Sequence, residues 1–591
     1  MKTNKLFKLT ALLISLIITV TALPFASTAT DFWQTEHTVE IDGITFKYID
    51  GSRDYPVITG IVYEGDELID IVFPAEIDTG TDYKWISSIA DNAFAGCEFI
   101  RSVTFSDAIY SIGENAFNGC TNLEEVNFSE NEWGAYIIDN FAFKNCTSLK
   151  SIQFFERSAL YSNCFAGCSS LTEIIIPEGA TLFGSGMFRD CTSLVSADIG
   201  VYNVPSAMFL NCTSLKNVTF NYETEEEYSI GYDAFNGCSS LKEILLPETL
   251  TELGHQAFNK CSSLETITIP SGIEMIQSCT FNGCASLTSV TLPENDVYID
   301  AAAFQHCSSL AEINNAENVT NIGRYAFNGC SSLEEFTCSY KTTNIEQGAF
   351  MDCTDLKSIT LPSNTDKLNA NTFENCVSLE KIIIPEGYTS IGEYVFKGCA
   401  SLNEIIFPDS LTAIAPNALI GSAYYENADN WVNDVLYVGK HLIKAKINAG
   451  THLYIKEGTK VIAANAFDGC SNMGSIVLPE SIEYIGSYSF VNSSTIESVG
   501  YMGTREEWEN KVTVSNISYF PDDKLTFLNE NYIAGDVNCD GVVSTVDLLL
   551  FRKNMAKALG DEYICNEACD VNCDGIINAK DILSLRKALA S

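Results

Sequence analysis

One interval governs this chain: 23 residues. Phenylalanine recurs at Phe94, Phe117, Phe143, Phe165, Phe188, Phe209, Phe235, Phe258, Phe281, Phe304, Phe327, Phe350, Phe373 and Phe396. Leu419 takes its place once, and Phe467 and Phe490 close the series. From Phe235 to Leu419 every step is 23 residues. Two earlier steps are 26, and one interruption separates Leu419 from Phe467. A fixed period of this length, in a chain of 591 residues, means many copies of one small unit stacked in a row rather than one large core.

"AFNGCSSLKEILLP" (Ala234 to Pro247) shows the unit. Counted from the Phe, a Cys sits at +3, a Leu at +6, and apolar residues at +9 and +11, as in Cys261, Leu264, Ile267 and Ile269. The alternation at +9 and +11 predicts a short strand with those side chains inward. Another apolar residue precedes each Phe by five (Ile276, Ile299, Ile322, Ile345). A Pro often follows the strand (Pro247, Pro270, Pro293, Pro362); lacking an N–H, it ends the pairing. No single copy can bury these residues, but stacked neighbours can.

Of the 22 cysteines, 15 hold the +3 position. Coils stacked about 4.8 Å apart keep in-register Cβ atoms nearly that far apart, whereas a disulfide wants them about 3.8 Å apart. The ladder is therefore expected to be buried free thiols acting as small fillers. Cys164 replaces the small residue before a Phe and Cys338 takes a strand core position, while Cys279 falls on a more polar site.

The outward strand positions read Glu243, Thr266, Ser289, Glu312, Glu335, Ser358, Lys381 and Glu404 at +8, and Leu245, Thr268, Thr291, Asn314, Thr337, Thr360, Ile383 and Ile406 at +10. This is a solvated strand surface without a row of aromatic rings for a sugar chain. The five histidines (His37, His255, His306, His441, His452) show no metal-ligand spacing, and no nucleophile or phosphate motif is present. No catalytic residue is identified, and the chain is expected not to be an enzyme. The better candidates for binding lie where the period breaks, although neutral insertion is the favoured reading of them: "SENEWGAYII" (Ser129 to Ile138), "NYETEEEYSI" (Asn221 to Ile230), and the aromatics Tyr424, Tyr425, Trp431 and Tyr437 of the interruption.

The last stretch is different. "GDVNCDGVVSTVDLLLFRK" (Gly535 to Lys553) nearly repeats as "CDVNCDGIINAKDILSLRK" (Cys569 to Lys587). Each copy fits a calcium loop, in which alternating side-chain oxygens and one carbonyl wrap a hard cation. The first set is Asp536, Asn538, Asp540, the Val542 carbonyl, Ser544 and Asp547, and Gly541 permits the sharp turn. The second is Asp570, Asn572, Asp574, the Ile576 carbonyl, Asn578 and Asp581. Two Ca²⁺ ions are expected. Each loop leads into an apolar-patterned helix and neither has a convincing helix before it.

Two family resemblances rest on these residues. The recurring AF-x-GC-x-SL-x-x-I pattern, over about residues 85–500, resembles the BspA-like leucine-rich repeat family. That likeness implies a right-handed repeat solenoid with a parallel β-sheet along one face. "NDVLYVGKHLIKAKINAG" (Asn433 to Gly450) is similar to the hairpin-like insert of such proteins, within an irregular region of about 423–455, and "YMGTREEWENKVTV" (Tyr501 to Val514) is similar to their closing segment. The tail, 535–591, closely resembles type I dockerins. That likeness implies a small α-helical calcium-binding domain that binds a cohesin module of a scaffoldin and so joins a cellulosome. Positions carried over as cohesin-binding are Thr545, Val546, Arg552 and Lys553 in one half, and Ala579, Lys580, Arg586 and Lys587 in the other. The Arg-Lys pairs match between halves and the preceding pairs do not, which argues against two equivalent binding orientations. Cys539, Cys565, Cys569 and Cys573 could form one or two disulfides, and spacing does not give their pairing.

Lys2, Lys5 and Lys8 precede the apolar run "ALLISLIITVTAL", and Ser27 and Ala29 supply a small-residue cleavage site, so residues 1–29 read as a signal peptide. No later stretch is apolar enough to span a membrane. Acids outnumber bases 77 to 34, a net charge of −43, which argues against a nucleic-acid partner. The expected organisation is a signal peptide, an N-terminal cap (30–84), the repeats (85–500), a closing cap and linker (501–530) and the dockerin-like tail (535–591). The expected function is a secreted, non-catalytic, cellulosome-type component. It would dock through calcium and cohesin and present the solenoid to a protein, cell surface or substrate during plant polysaccharide degradation. A cell-surface adhesin, or a polysaccharide-degrading enzyme or enzyme-modulating subunit, is the alternative.

Overall fold

A computed structural model of the protein describes residues 35–51, 55–129, 136–221, 227–446, 451–471, 473–493, 495–528, 534–538, 542–556, 566–569, 571 and 577–590. Each repeat makes one coil, and most coils carry two short strands. The strand after the Phe pairs in parallel with its counterparts, as in Thr266–Thr268, Ser289–Thr291 and Glu312–Asn314. Its alternation is the expected one: Thr266 and Thr268 are exposed and Ile267 is buried. A second parallel ladder joins the segments before the Phe, as in Met275–Ile276, Val297–Ile299, Val319–Ile322 and Asn344–Ile345. Alternation becomes legible only over about four residues, so two-residue strands leave no such signal. The apolar residue five before each Phe is the inward member of this second ladder; Ile276, Ile299, Ile322 and Ile345 are fully buried.

The phenylalanines stack into one column. From Phe94 to Phe396 consecutive rings lie 5.0–6.0 Å apart, with planes within 16° of parallel. Each fully buried ring is worth about 1.5–3 kcal/mol in removed apolar surface. Stacked contact adds roughly 0.5–1.5 kcal/mol per pair. The chain reaches each ring through a corner with two left-handed residues, at −2 and +2. Around Phe327 these are Tyr325 (φ 56°) and Gly329 (φ 76°). Glycine at +2 takes this conformation without strain, which accounts for the glycine of the repeat. Cys279 (φ 57°) fills the −2 corner, which explains its more polar position.

The ladder thiols are unbridged from Cys120 to Cys399 and do more than fill space. Each Sγ–H donates to the carbonyl of the Phe in the preceding coil at 3.1–3.3 Å, from Cys120 on Phe94 to Cys399 on Phe373. Burial pushes their titration up, to about 12 for Cys120, Cys191 and Cys399, so they hold their protons and donate.

An antiparallel meander, His37–Ile41, Ile44–Asp50 and Pro56–Val62, starts the structure, and its last strand pairs in parallel with Ser88–Ile89. At the interruption, Trp431–Val432, Val435–Val438 and His441–Ala445 form a second antiparallel meander. Past it the ladders resume; the Ala464 N–H bonds the Ile414 carbonyl at 2.9 Å. The helix Arg505–Lys511 is capped by Thr504 and Glu507 and packs Trp508 on Tyr501 and Phe520. Among the described residues, no helix is long and apolar enough to cross a membrane.

Candidate functional site

The tail contributes the helices Thr545–Met555, Asn566–Cys569 and Ala579–Ala588. Among the described residues its fully buried apolar centre includes Val537, Phe551, Cys569 and Leu585. Small domains of this kind usually rely on metal or disulfides. The two halves meet at Gly535. Its N–H bonds the Ala568 carbonyl at 2.9 Å, its φ is +97°, and a Cβ there would lie 2.7 Å from Leu585 Cδ1.

In each loop the sequence-predicted ligands include a buried carboxylate. Asp547, closing the first loop, is fully buried. Its carboxylate accepts the Asn538 N–H at 3.0 Å, the Ser544 N–H at 2.7 Å and the Ser544 hydroxyl at 3.1 Å. Asp536 and Asn538 are buried as well, and the Val542 side chain is exposed, as suits a residue that lends only its carbonyl. In the second loop Asp581 is fully buried and accepts the Asn578 N–H at 2.9 Å. Asp540, Asp570, Asn572, Asp574 and Ile576 lie outside the described residues, as do Cys539, Cys565 and Cys573. Among the described residues alone no metal cluster is complete. The donor set fits calcium nonetheless: all oxygen, acidic, and with the buried Asp547 answered only by neutral donors.

Asp547 and Asp581 have a second task that the loop pattern alone does not suggest. Asn578 and Asp581 form a reciprocal capping box at the start of Ala579–Ala588; before Thr545–Met555, Ser544 donates its N–H and hydroxyl to the Asp547 carboxylate and its Oγ accepts the Val546 N–H. The signal was present as S-x-x-D and N-x-x-D spacing. One carboxylate thus joins loop and helix, so ordering the loop orders the helix start.

Of the positions carried over as cohesin-binding, Thr545, Val546, Arg552, Ala579, Lys580, Arg586 and Lys587 are exposed and Lys553 is half-buried.

The solenoid candidates fare differently. The over-long loops fall largely on 130–135 and 222–226, outside the described residues. The insert aromatics are engaged internally. The Tyr424 hydroxyl donates to the Tyr437 carbonyl and the Trp431 Nε1–H to the Tyr425 carbonyl, both at 2.8 Å. The Lys446 ammonium sits 3.8 Å from the Trp431 ring centre and 5.0 Å from that of Tyr425. A groove of about 610 Å³ runs beside them, walled by Tyr424, Tyr437, Tyr454, Lys456 and Glu457. A more apolar hollow of about 480 Å³ lies over the ladder before the Phe, between Ile391, Ile414, Tyr484, Tyr488 and Ile517.

Comparison with known proteins agrees with this division. The BspA type leucine rich repeat region family matches residues 87–216, 202–334, 320–430 and 444–512. The dockerin type I domain family matches residues 534–590. Among solved structures, a leucine-rich repeat protein from Bacteroides ovatus is 23% identical, with a TM-score of 0.50, over 78% of this chain and 99% of that one. A leucine rich cell surface protein from Faecalibacterium prausnitzii is 21% identical, with a TM-score of 0.33, over 82% of this chain and 99% of that one. The likeness to the Bacteroides ovatus protein concerns the fold alone. No curated protein matches this chain.

Proposed function

Because this chain belongs to the BspA-type leucine-rich repeat family and ends in a type I dockerin domain, we propose that it is a secreted, non-catalytic component of a cellulosome-type complex. A dockerin implies docking to a cohesin, and type I dockerins bind calcium. In this reading residues 1–29 act as a signal peptide. Asp536, Asn538, Asp540, the Val542 carbonyl, Ser544 and Asp547 hold one Ca²⁺, and Asp570, Asn572, Asp574, the Ile576 carbonyl, Asn578 and Asp581 hold a second. The ions stiffen the loops, and through Asp547 and Asp581 the stiffened loops fix the two helices. Thr545, Val546, Arg552 and Lys553, with Ala579, Lys580, Arg586 and Lys587, then meet the cohesin. The solenoid is the cargo, a protein-binding array delivered to plant polysaccharide degradation.

The observation that carries the reading is the pairing of a buried loop carboxylate with exposed basic residues on the same helix, twice: Asp547 with Arg552, and Asp581 with Arg586 and Lys587. Burying the acid is costly without a cation, and exposing the bases on an acidic protein suits an acidic partner surface. The test is binding of the full chain to immobilised cohesins. Replacing both Arg552 and Lys553, or both Arg586 and Lys587, by Ala should weaken binding to unequal degrees, and the fourfold variant should lose it. A fourfold variant that binds like wild type would sink the assignment.

A further inference from the structure

In earlier coils the outward side of the post-Phe ladder is open to solvent; at +10, Leu245 is 84% exposed, Ile383 52% and Ile406 44%. The last sheet of this ladder, Thr451–Tyr454, Met473–Leu478, Ser498–Tyr501 and Leu525–Phe527, breaks that rule. Val477, its +10 residue, is 6% exposed, and Ser475 at +8 and Met502 are 7% exposed. Tyr454, Val477 and Gly500 lie in register across the sheet. Gly500 makes room for the chain as it leaves the last strand: a Cβ there would come within 2.9 Å of Leu528 Cδ1. Tyr454, Val477, Met502 and Leu528 form one apolar cluster on this outward face. From its edge the Tyr454 hydroxyl donates to the main-chain carbonyl of Asn538, in the first loop of the tail. Asp536 and Asn538 are each 4% exposed, while the helix positions read as cohesin-facing stay open except for half-buried Lys553.

We propose that this outward face is a seat for the chain's own C-terminal domain. The domain is not a module swinging on a tether. Tyr454 holds its first loop, the cluster around Leu528 sets where the tail leaves the solenoid, and both helices are presented outward in one orientation. A second consequence rests on the calcium reading of that loop. The Asn538 carbonyl is held by Tyr454 while its side chain is a calcium ligand. The ion and the seat therefore favour the same backbone conformation, and each strengthens the other by the same factor.

The test uses the full chain, with calcium titrated by calorimetry and shape followed by small-angle scattering. Tyr454→Phe keeps the ring and removes only the donor, so it separates the seat from folding. It should weaken calcium binding at one of the two sites by about twofold to tenfold, the worth of one hydrogen bond. Val477→Glu with Met502→Glu should unseat the domain and lengthen the maximum dimension. Leu245→Glu, the same outward position on an open coil, should change neither. Wild-type affinity and dimensions in both sets of variants would overturn the seat. A wild-type chain that binds no calcium, yet lengthens on unseating, would overturn the calcium reading and uphold the seat.

Discussion

The thiol at +3 is an example of one atom answering two demands. It fills a space too small for a branched side chain, and it donates to a Phe carbonyl in the coil before. Cys284→Ala removes both, and is expected to cost about 1–2 kcal/mol in denaturant unfolding, a small cavity plus a weak hydrogen bond. With titration pushed far above neutrality by burial, native protein should leave the +3 thiols from Cys120 to Cys399 unlabelled by a thiol reagent at about pH 8, and label them on unfolding. His441 makes a different prediction. It is 1% exposed, with Nδ1 3.0 Å from the Val438 carbonyl and Phe407 set edge-on at 5.7 Å. Its Nε2 is buried and has no hydrogen-bond partner among the described residues. Burial holds its titration below the ordinary 6.5, against the nearby Asp409 and with the nearby Lys440 and Lys460. The unfolded chain therefore takes the proton first. His441's contribution to stability is complete above about pH 6.5 and declines as pH falls below it. Wild type should lose more stability than His441→Leu between about pH 7.5 and about pH 5; equal losses would contradict the assignment.

At the scale of the coil, two kinds of glycine do different work. Gly283 sits at the +2 corner with φ +75°, and a Cβ there would meet Lys260 only at ordinary contact distance, 3.6 Å and beyond. Gly323 lies where neighbouring coils nearly touch, and a Cβ there would stand 2.6 Å from the Asp300 carbonyl carbon. Gly283→Ala should cost about 1–2 kcal/mol, the left-handed penalty alone, and Gly323→Ala about 3 kcal/mol from overpacking against backbone. Thermal unfolding in the reverse order would show that corner strain, and not coil spacing, limits the stack. The post-Phe strand was legible because its period-two pattern extends past three residues and repeats. The other ladder was not, because two residues such as Asn344–Ile345 cannot display a period. The −2 corner was equally hidden: Asn, Asp, Gln, Ala, Tyr and Cys all occupy it, so no residue type marks it.

At the scale of the whole molecule, a long one-dimensional stack and a small domain share one chain, and they should unfold in separate transitions, linked only through the seat. Chelating calcium should cost the tail its helical signal while the solenoid transition stays, and Asp547→Ala should act in the same direction without chelator. A single transition that shifts as one unit would contradict this separation, since the seat couples the two parts by only about the worth of one hydrogen bond. The two acidic loops could be proposed as calcium sites from the sequence because their candidate ligands are local and doubled. The seat could not, since Tyr454 lies 84 residues before Asn538 and nothing in either segment names the other. The internal bonds of the insert aromatics were hidden for a related reason: nothing in the sequence shows that the Tyr424 hydroxyl and the Trp431 indole N–H are bonded within the insert. The central claim is docking, and calorimetry of the full chain against a panel of cohesins, with Ca²⁺ and then with EDTA, tests it most directly. The account predicts tight binding to at least one cohesin, abolished by EDTA and by Asp536→Ala combined with Asp570→Ala. A folded, calcium-loaded tail that binds none of them would contradict it.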